Sequence, residues 1–400
     1  MRIIIIATEF APFKKNSSTK DNLDVFAATL VKKGNDVHII FPMSKDTAIS
    51  GNSLARRLTP IKVVANNKEL EFGRLEGRTT TGVHVYILDL DQRDTFNEQT
   101  EADIINEGFY KAAAQFCGTL ANEQARLIVW RADKLATNAT LPKNIKNIAI
   151  ITHHADNAEN MHKFDNVIVS GKLLFSHLTS GKNAPLAQMA KAGKVIGLPH
   201  APQVEESRQH PPLSFADKAS AKASFQSLLG LPVRLDVPVF LFQNQITKQL
   251  HKLIARFLCS DVQIIIMGAS QNHHLKELSD KYPDRLAVVF SSISPDAALA
   301  AADFCFSLEH PRNTVFAMSY GAVPVVTTQS AEGVVALEPS LNSGSGFILA
   351  DLSEQSIKHA FGEANAAFSR TAQFRELCSR IQKYTTSWST LTDTIISIIQ

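Results

Sequence analysis

The sequence predicts an α/β protein of two domains, each built on a largely parallel sheet. Three observations carry this. Short apolar runs without polar alternation recur along the chain, as in strands buried on both faces. Helical patterns follow them in turn, as crossovers between parallel strands require. A polar, proline-bearing stretch at residues 203–214 divides the chain, as a linker would. With 400 residues, 44% of them hydrophobic, each half can bury its own core.

The first apolar run, residues 2–7, is Arg-Ile-Ile-Ile-Ile-Ala, a buried strand. Pro12 breaks the pattern, since it cannot donate to a ladder. After a polar loop, Leu23, Phe26, Ala27, Leu30 and Val31 fall at helical spacing. Lys32 and Lys33 suit the negative end of that helix, and Gly34 stops it. Residues 37–41 form the next strand and complete a βαβ unit, whose first loop opens where such sheets bind ligands. Strand-like runs follow at 61–65, 69–75 and 83–89, and a helix is expected at 101–120. Further strands are expected at 125–133, 148–154, 165–170 and 195–198. Beyond the linker, a helix at 218–231 precedes strands at 239–242, 262–268, 286–290, 303–306 and 324–326. The helix at 247–257 shows Leu250, Leu253, Ile254 and Phe257 on its apolar face.

The net charge of +3, with basic residues unclustered, gives no support for nucleic acid or an anionic membrane as partner. No stretch has the length of a membrane-spanning helix, and the N-terminal isoleucine run reads as a strand rather than a signal peptide, so a cytoplasmic location is expected. Cys117, Cys259, Cys305 and Cys378 are scattered without metal spacing and read as reduced, mostly buried thiols. His153 and His154 have no carboxylate or cysteine at ligand spacing, so neither a metal nor another cofactor is expected.

Residues 8–21 read Thr-Glu-Phe-Ala-Pro-Phe-Lys-Lys-Asn-Ser-Ser-Thr-Lys-Asp, and residues 32–37 read Lys-Lys-Gly-Asn-Asp-Val. This opening resembles that of bacterial glycogen synthases and plant starch synthases, which carry S-E-x-A-P-F-x-K-T-G-G-L-G-D before a helix ending K-R-G-H-D-V. The resemblance extends to residues 385–388, Thr-Thr-Ser-Trp, against the family's D-F-S-W, and so covers nearly the whole chain. It implies the GT-B fold of retaining glucosyltransferases: two Rossmann-like domains facing a cleft, at 1–205 and 206–385, with a final helix at 386–400 returning to the first domain.

The same resemblance assigns site positions. Lys15 falls on the family's donor-binding lysine and Asp21 on its aspartate, while Ser17 and Ser18 replace two glycines. In place of V-V-H-A-H-D-W-H only Asp133 survives, with Trp130, Ala132 and Leu135 on the histidines; His153 falls on the histidine that lines the sugar site. A diphosphate leaving group needs cations aimed at its oxygens. The family supplies them in S-R-L-T-x-Q-K-G, where this chain has Gln245 for the arginine and Leu250 for the lysine; Lys248 and Lys252 lie off the matching positions. Glu309 stands for the glutamate of E-x-C-G-L-T in a shortened loop, and the family's T-G-G-L has become Gln329, Ser330, Ala331 and Glu332. His153, Asp133 and Glu309 are therefore the candidate catalytic residues. Lys15, Asp21, Ser17, Ser18, Gln245 and Leu250 are the candidate donor-binding positions.

The segment that the family places on the acceptor side is abbreviated here to residues 155–164. The reading is a synthase-like scaffold that has lost catalysis and binds a glycan, a small ligand or a protein partner. The alternative is an active retaining glycosyltransferase that moves glucose from a nucleotide sugar such as ADP-glucose to a glycan acceptor.

Overall fold

A computed structural model describes residues 1–13, 22–49, 53–91, 102–132, 141–152, 159–180, 184–200, 215–243, 248–268, 273–289, 295–308, 311–384 and 387–400. The chain divides into two compact units. The first comprises Met1–Leu198 and Trp388–Gln400, the second Pro199–Ser387.

In the first unit, β1 (Arg2–Ile6) pairs in parallel with β2 (Asp36–Pro42) on one side and β6 (Arg126–Trp130) on the other. Isoleucines 3–6 are all 0% exposed, which explains why this strand reads as an unbroken apolar run. Beyond β6 lie β7 (Lys146–Ile151), β8 (Asn166–Ser170) and β9 (Val195–Leu198); beyond β2 lie β5 (His84–Leu90), β4 (Lys68–Arg78) and β3 (Leu54–Ala65). The nine-stranded sheet is parallel except for the β3–β4 and β4–β5 pairings.

Strand β3 starts well before the expected residue 61. Residues 55–59 are exposed, so they carry no apolar signal, and Arg56 and Arg57 pair with Asp91 and Glu76 instead. The β3–β4 hairpin turns on Asn66 and Asn67, with φ of 45° and 61°, the left-handed pair that a two-residue turn requires.

Helix α1 (Leu23–Lys32) buries Leu23, Phe26, Ala27 and Leu30, and α2 (Ala102–Leu120) buries Phe109, Ala112, Ala113 and Phe116. Helices α3 (Lys172–Ser180) and α4 (Ala184–Lys191) complete the crossovers.

The second unit opens with α5 (Phe215–Leu228). Its parallel sheet contains β10 (Val239–Gln243), β11 (Gln263–Met267), β12 (Leu286–Val289), β13 (Phe304–Ser307), β14 (Val323–Thr327) and β15 (Phe347–Leu349), in the order β12-β11-β10-β13-β14-β15. Strand residues alternate between two cores. Phe240, Phe242, Ile264, Ile266, Phe304 and Phe306 face one side, and Val239, Leu241, Ile265 and Cys305 the other. The crossover helices are α6 (Lys248–Phe257), α7 (His273–Lys281), α8 (Pro295–Ala301) and α9 (Pro311–Ser319), followed by α10 (Glu354–Ser369) and α11 (Thr371–Gln382).

The last helix, α12 (Trp388–Ile399), belongs to the first unit. Trp388 lies 6.2 Å from Phe26, and Lys33 pairs with Asp393 at 2.7 Å. Three cationic bonds close its C-terminal end: Arg126 Nε and Nη2 donate to the carbonyls of Ile399 and Gln400, and Lys146 Nζ to that of Ile398.

Candidate functional site

Each sheet reverses its direction of winding at one point. In the first unit the chain leaves β1 toward β2 and later returns beside β1 as β6. In the second, β11 and β12 lie on one side of β10, and β13 and β14 on the other. Ligands of open α/β sheets bind beyond the carboxyl ends of strands at such reversals.

The expected site residues cluster in sequence just after those strand ends. Lys15, Ser17, Ser18 and Asp21 follow β1, Asp133 follows β6, and His153 follows β7, its neighbour. Gln245 follows β10 and Glu309 follows β13, the two strands that flank the second reversal. These eight residues lie outside the described residues. The linker at 203–214 also lies there, together with His154 and Leu135.

Leu250 is described, and it corrects an expectation. As a phosphate-facing position it would stand open to solvent, yet its side chain is 4% exposed. It packs with Leu253, Ile254 and Phe257 in the core beneath α6. The apolar face of an amphipathic helix takes it inward.

Two of the positions matched to family histidines are also packed. Trp130 is 2% exposed and stacks on Phe26 at 5.3 Å with an interplanar angle of 28°, and Ala132 is buried. Arg131 between them adopts φ of 55°, so the chain turns left-handed directly after β6.

The stretch that stands for T-G-G-L is held by hydrogen bonds. The Ser330 hydroxyl donates to the carbonyl of Ser307 at 2.7 Å and accepts from the Thr327 amide at 3.0 Å. The Thr327 hydroxyl donates to the carbonyl of Leu308, and the Thr314 hydroxyl, on α9, to that of Ser330. Ser330 thus ties the carboxyl ends of β13 and β14 to α9. Two residues on, Glu332 is 3% exposed; its Oε1 accepts the His200 amide at 3.2 Å and its Oε2 lies 3.8 Å from His200 Nε2. Sequence reading noted these residues only as substitutions. The run of polar residues at the end of β14, Thr-Thr-Gln-Ser at 327–330, was the signal that a polar network replaces the glycines.

The thiols offer no nucleophile at these strand ends. Cys117, Cys305 and Cys378 are buried, and burial pushes each thiol up to about 12, so none is a thiolate near neutrality. Cys259 is exposed at the end of α6. Among the described residues, no helix is long and apolar enough to cross a membrane.

No family model matches the chain. Among curated proteins it is 24% identical to the glycogen synthase of Bacillus licheniformis over 192 residues, 43% of this chain and 39% of that protein. It is 22% identical to glycogen synthase 2 of Geobacter metallireducens over 97% of this chain and 96% of that protein. The aligned part spans 39–41% of the length of the first of these glycogen synthases.

Among solved structures, the catalytic domain of starch synthase IV from Arabidopsis thaliana, bound to ADP and acarbose, superposes with a TM-score of 0.74 at 14% identity. It covers 99% of this chain and 98% of that one. The UDP-GlcNAc 2-epimerase of Neisseria meningitidis, bound to UDP-GlcNAc, gives 0.51 at 8% identity over 99% of both chains. The two doubly wound sheets are those of the GT-B fold. Within that class the chain is glycogen and starch synthase-like.

Proposed function

We propose that this chain is a noncatalytic homologue of the glycogen and starch synthases, which keeps the scaffold and binds a glycan, a small ligand or a protein partner without transferring glucose. The observation that carries this reading is Leu250. Where the resemblance puts a cation on the donor diphosphate, an aliphatic side chain packs into the core. A leaving diphosphate requires preorganised positive charge, and neither Gln245 nor Leu250 brings any. The Ser330 network supports the same reading. A glycine lets backbone approach a phosphate closely, whereas here a serine stands in its place and its hydroxyl ties the strand ends together. The buried thiols accord with a cytoplasmic protein.

A second reading is favoured by one observation: Lys15, His153 and Glu309 all follow strand ends at or next to the winding reversals. The relatives that resemble this chain are glycogen synthases, and one of the structural neighbours holds ADP. On this reading the chain is a retaining glycosyltransferase with a rebuilt phosphate site.

Melting curves with ADP, UDP, ADP-glucose and UDP-glucose, paired with a glucose-transfer assay on glycogen, separate the two. A ligand that binds only the native state raises the melting temperature by mass action. The noncatalytic reading expects no turnover and no nucleotide-dependent shift. Robust transfer that is abolished by Lys15→Ala overturns it.

A further inference from the structure

We propose that Asp36, His38 and His84 form a site for one divalent cation of the zinc class, at the amino end of the first sheet. Asp36 and His38 project from one face of β2, two residues apart, and His84 lies beside His38 as its registered partner on β5. Their ligand atoms all lie within 4.8 Å of one another. Asp36 Oδ1 stands 3.0 Å from His38 Nε2 and 3.7 Å from His84 Nε2. Donors bound tetrahedrally at about 2.0–2.2 Å from a zinc ion stand about 3.3–3.6 Å apart, and the two carboxylate–imidazole separations lie on either side of that span.

The hydrogen bonds around the cluster leave the right atoms for an ion. The second oxygen of Asp36 accepts Arg2 Nε at 2.8 Å, and Arg2 is itself held by the carbonyl of Leu120, which leaves Oδ1 for the histidines. His38 Nδ1 is 3.1 Å from the Tyr86 hydroxyl. A proton on Nδ1 donated to that oxygen leaves the lone pair of Nε2 directed at Asp36. Buried Nε2 makes no well-formed hydrogen bond, although Oδ1 is so close. At 3.0 Å from Oδ1, Nε2 shares with it either a proton or a cation that displaces that proton. A second imidazole converging on the same oxygen fits an ion with three protein donors. Tyr86 and Arg2 are the kind of outer partners that orient metal ligands.

The His38 and His84 rings lie nearly parallel, at 11° and 4.7 Å. Binding therefore requires the His84 ring, whose side chain is 36% exposed, to turn so that its Nε2 faces the other two donors. The Asp36 side chain is 40% exposed, so the fourth position opens to water or to an incoming ligand. Two imidazoles and one carboxylate suit zinc and its neighbours better than calcium or magnesium, which prefer all-oxygen shells. The site joins the starts of β2 and β5, at the opposite end of the sheet from the strand ends that carry Lys15, Asp133 and His153. It would therefore clamp the sheet independently of the function proposed above.

The test uses the full chain stripped with a chelator and titrated with Co2+ and Zn2+. The expected result is one equivalent of Co2+ with the visible absorbance of a four-coordinate site, displaced by Zn2+, and a rise in melting temperature with Zn2+. His84→Ala and Asp36→Asn change partly exposed side chains, and each should weaken binding at least tenfold and abolish the thermal shift. Absence of stoichiometric binding to the wild type overturns the proposal. So does binding that survives in both variants, which would place the ion at other histidines.

Discussion

The Lys222 ammonium lies 2.7 Å from Asp303 Oδ2, and both side chains are 4% exposed. The same oxygen accepts the Val239 amide at 2.8 Å, and Lys222 also donates to the carbonyl of Val237 at 2.6 Å. One ion pair thus joins α5 to the starts of β10 and β13. It belongs to a stripe at helical spacing, Lys218, Lys222 and Gln226, that α5 turns toward the protein interior. Lys218 donates to the carbonyls of Ala300, in the last turn of α8, and of Ala302 and Tyr320, just beyond the ends of α8 and α9, and Gln226 bonds Gln263 and Arg234.

Removing one partner of this pair leaves a buried charge alone. Lys222→Met and Asp303→Ala should each destabilise the second unit by about 3–5 kcal/mol. The double variant should lose less than the sum, because neither charge is then stranded. Urea denaturation of the four proteins closes the cycle; additive losses would show that the pair is not coupled.

Legibility in the sequence follows how each residue is satisfied. Strands β1, β2, β7, β10 and β11 are buried on both faces, so continuous apolar runs announce them. The core-facing stripe of α5 is polar and reads like a solvent face, because its partners, the Asp303 carboxylate, the Gln263 side chain and several backbone carbonyls, come from elsewhere in the chain. Strand β3 begins in exposed charged residues and is likewise silent until Ile61. The candidate site positions rest on the sequence alone, where Lys15, Gln245 and Glu309 follow apolar runs whose strand character is plain. The inward packing of Leu250 was visible only as helical spacing with Leu253, Ile254 and Phe257, which competed with a gapless motif match. Asp36, His38 and His84 could not be assembled from sequence, because the pairing of β2 with β5 brings them together.

The end of α12 should loosen without its cations. Arg126 and Lys146 donate to the last helical carbonyls and offset their partial negative charge. Arg126→Ala with Lys146→Ala should cost roughly 1–3 kcal/mol locally. Amide hydrogen exchange should speed up in residues 388–400, while the core strands keep their protection. Unchanged exchange in that helix would show that Trp388 and the apolar face alone hold it.

The start of α10 should respond to acid. The Ser353 and Ser356 hydroxyls and the Ser353 amide beside Asp351 hold its carboxyl at about 2, below its ordinary 3.8. Ser353 is the N-cap, accepting the Ser356 amide, and Ser356 donates to Asp351 at 2.6 Å. The folded chain therefore binds this proton less readily than the unfolded chain. The stabilising contribution is present above 3.8 and is lost as pH falls from there through about 2. Asp351→Ala should flatten stability against pH in that window, and a carbon-detected titration of Asp351 should report the lowered value directly. A midpoint at the ordinary carboxylate value would refute the capping network.

Leu250 offers the sharpest test of how far the synthase motif extends into this chain. If the motif match governed the side chain, Gln245→Arg with Leu250→Lys would restore two cations and create affinity for ADP. The core position predicts the opposite. A lysine at Leu250 loses the packing of a buried leucine and forces an ammonium against Leu253, Phe257 and their neighbours. The double variant should lose about 3–5 kcal/mol and melt far below the wild type, without calorimetric ADP binding. Leu250→Met, which conserves volume, should cost less than about 1.5 kcal/mol and so serves as the control for handling and expression. The single Gln245→Arg variant leaves Leu250 in place and tests the other motif position alone. A double variant that stays folded and binds ADP would mean that the start of α6 can turn Leu250 outward, and the dismantled-donor reading would lose the observation that carries it.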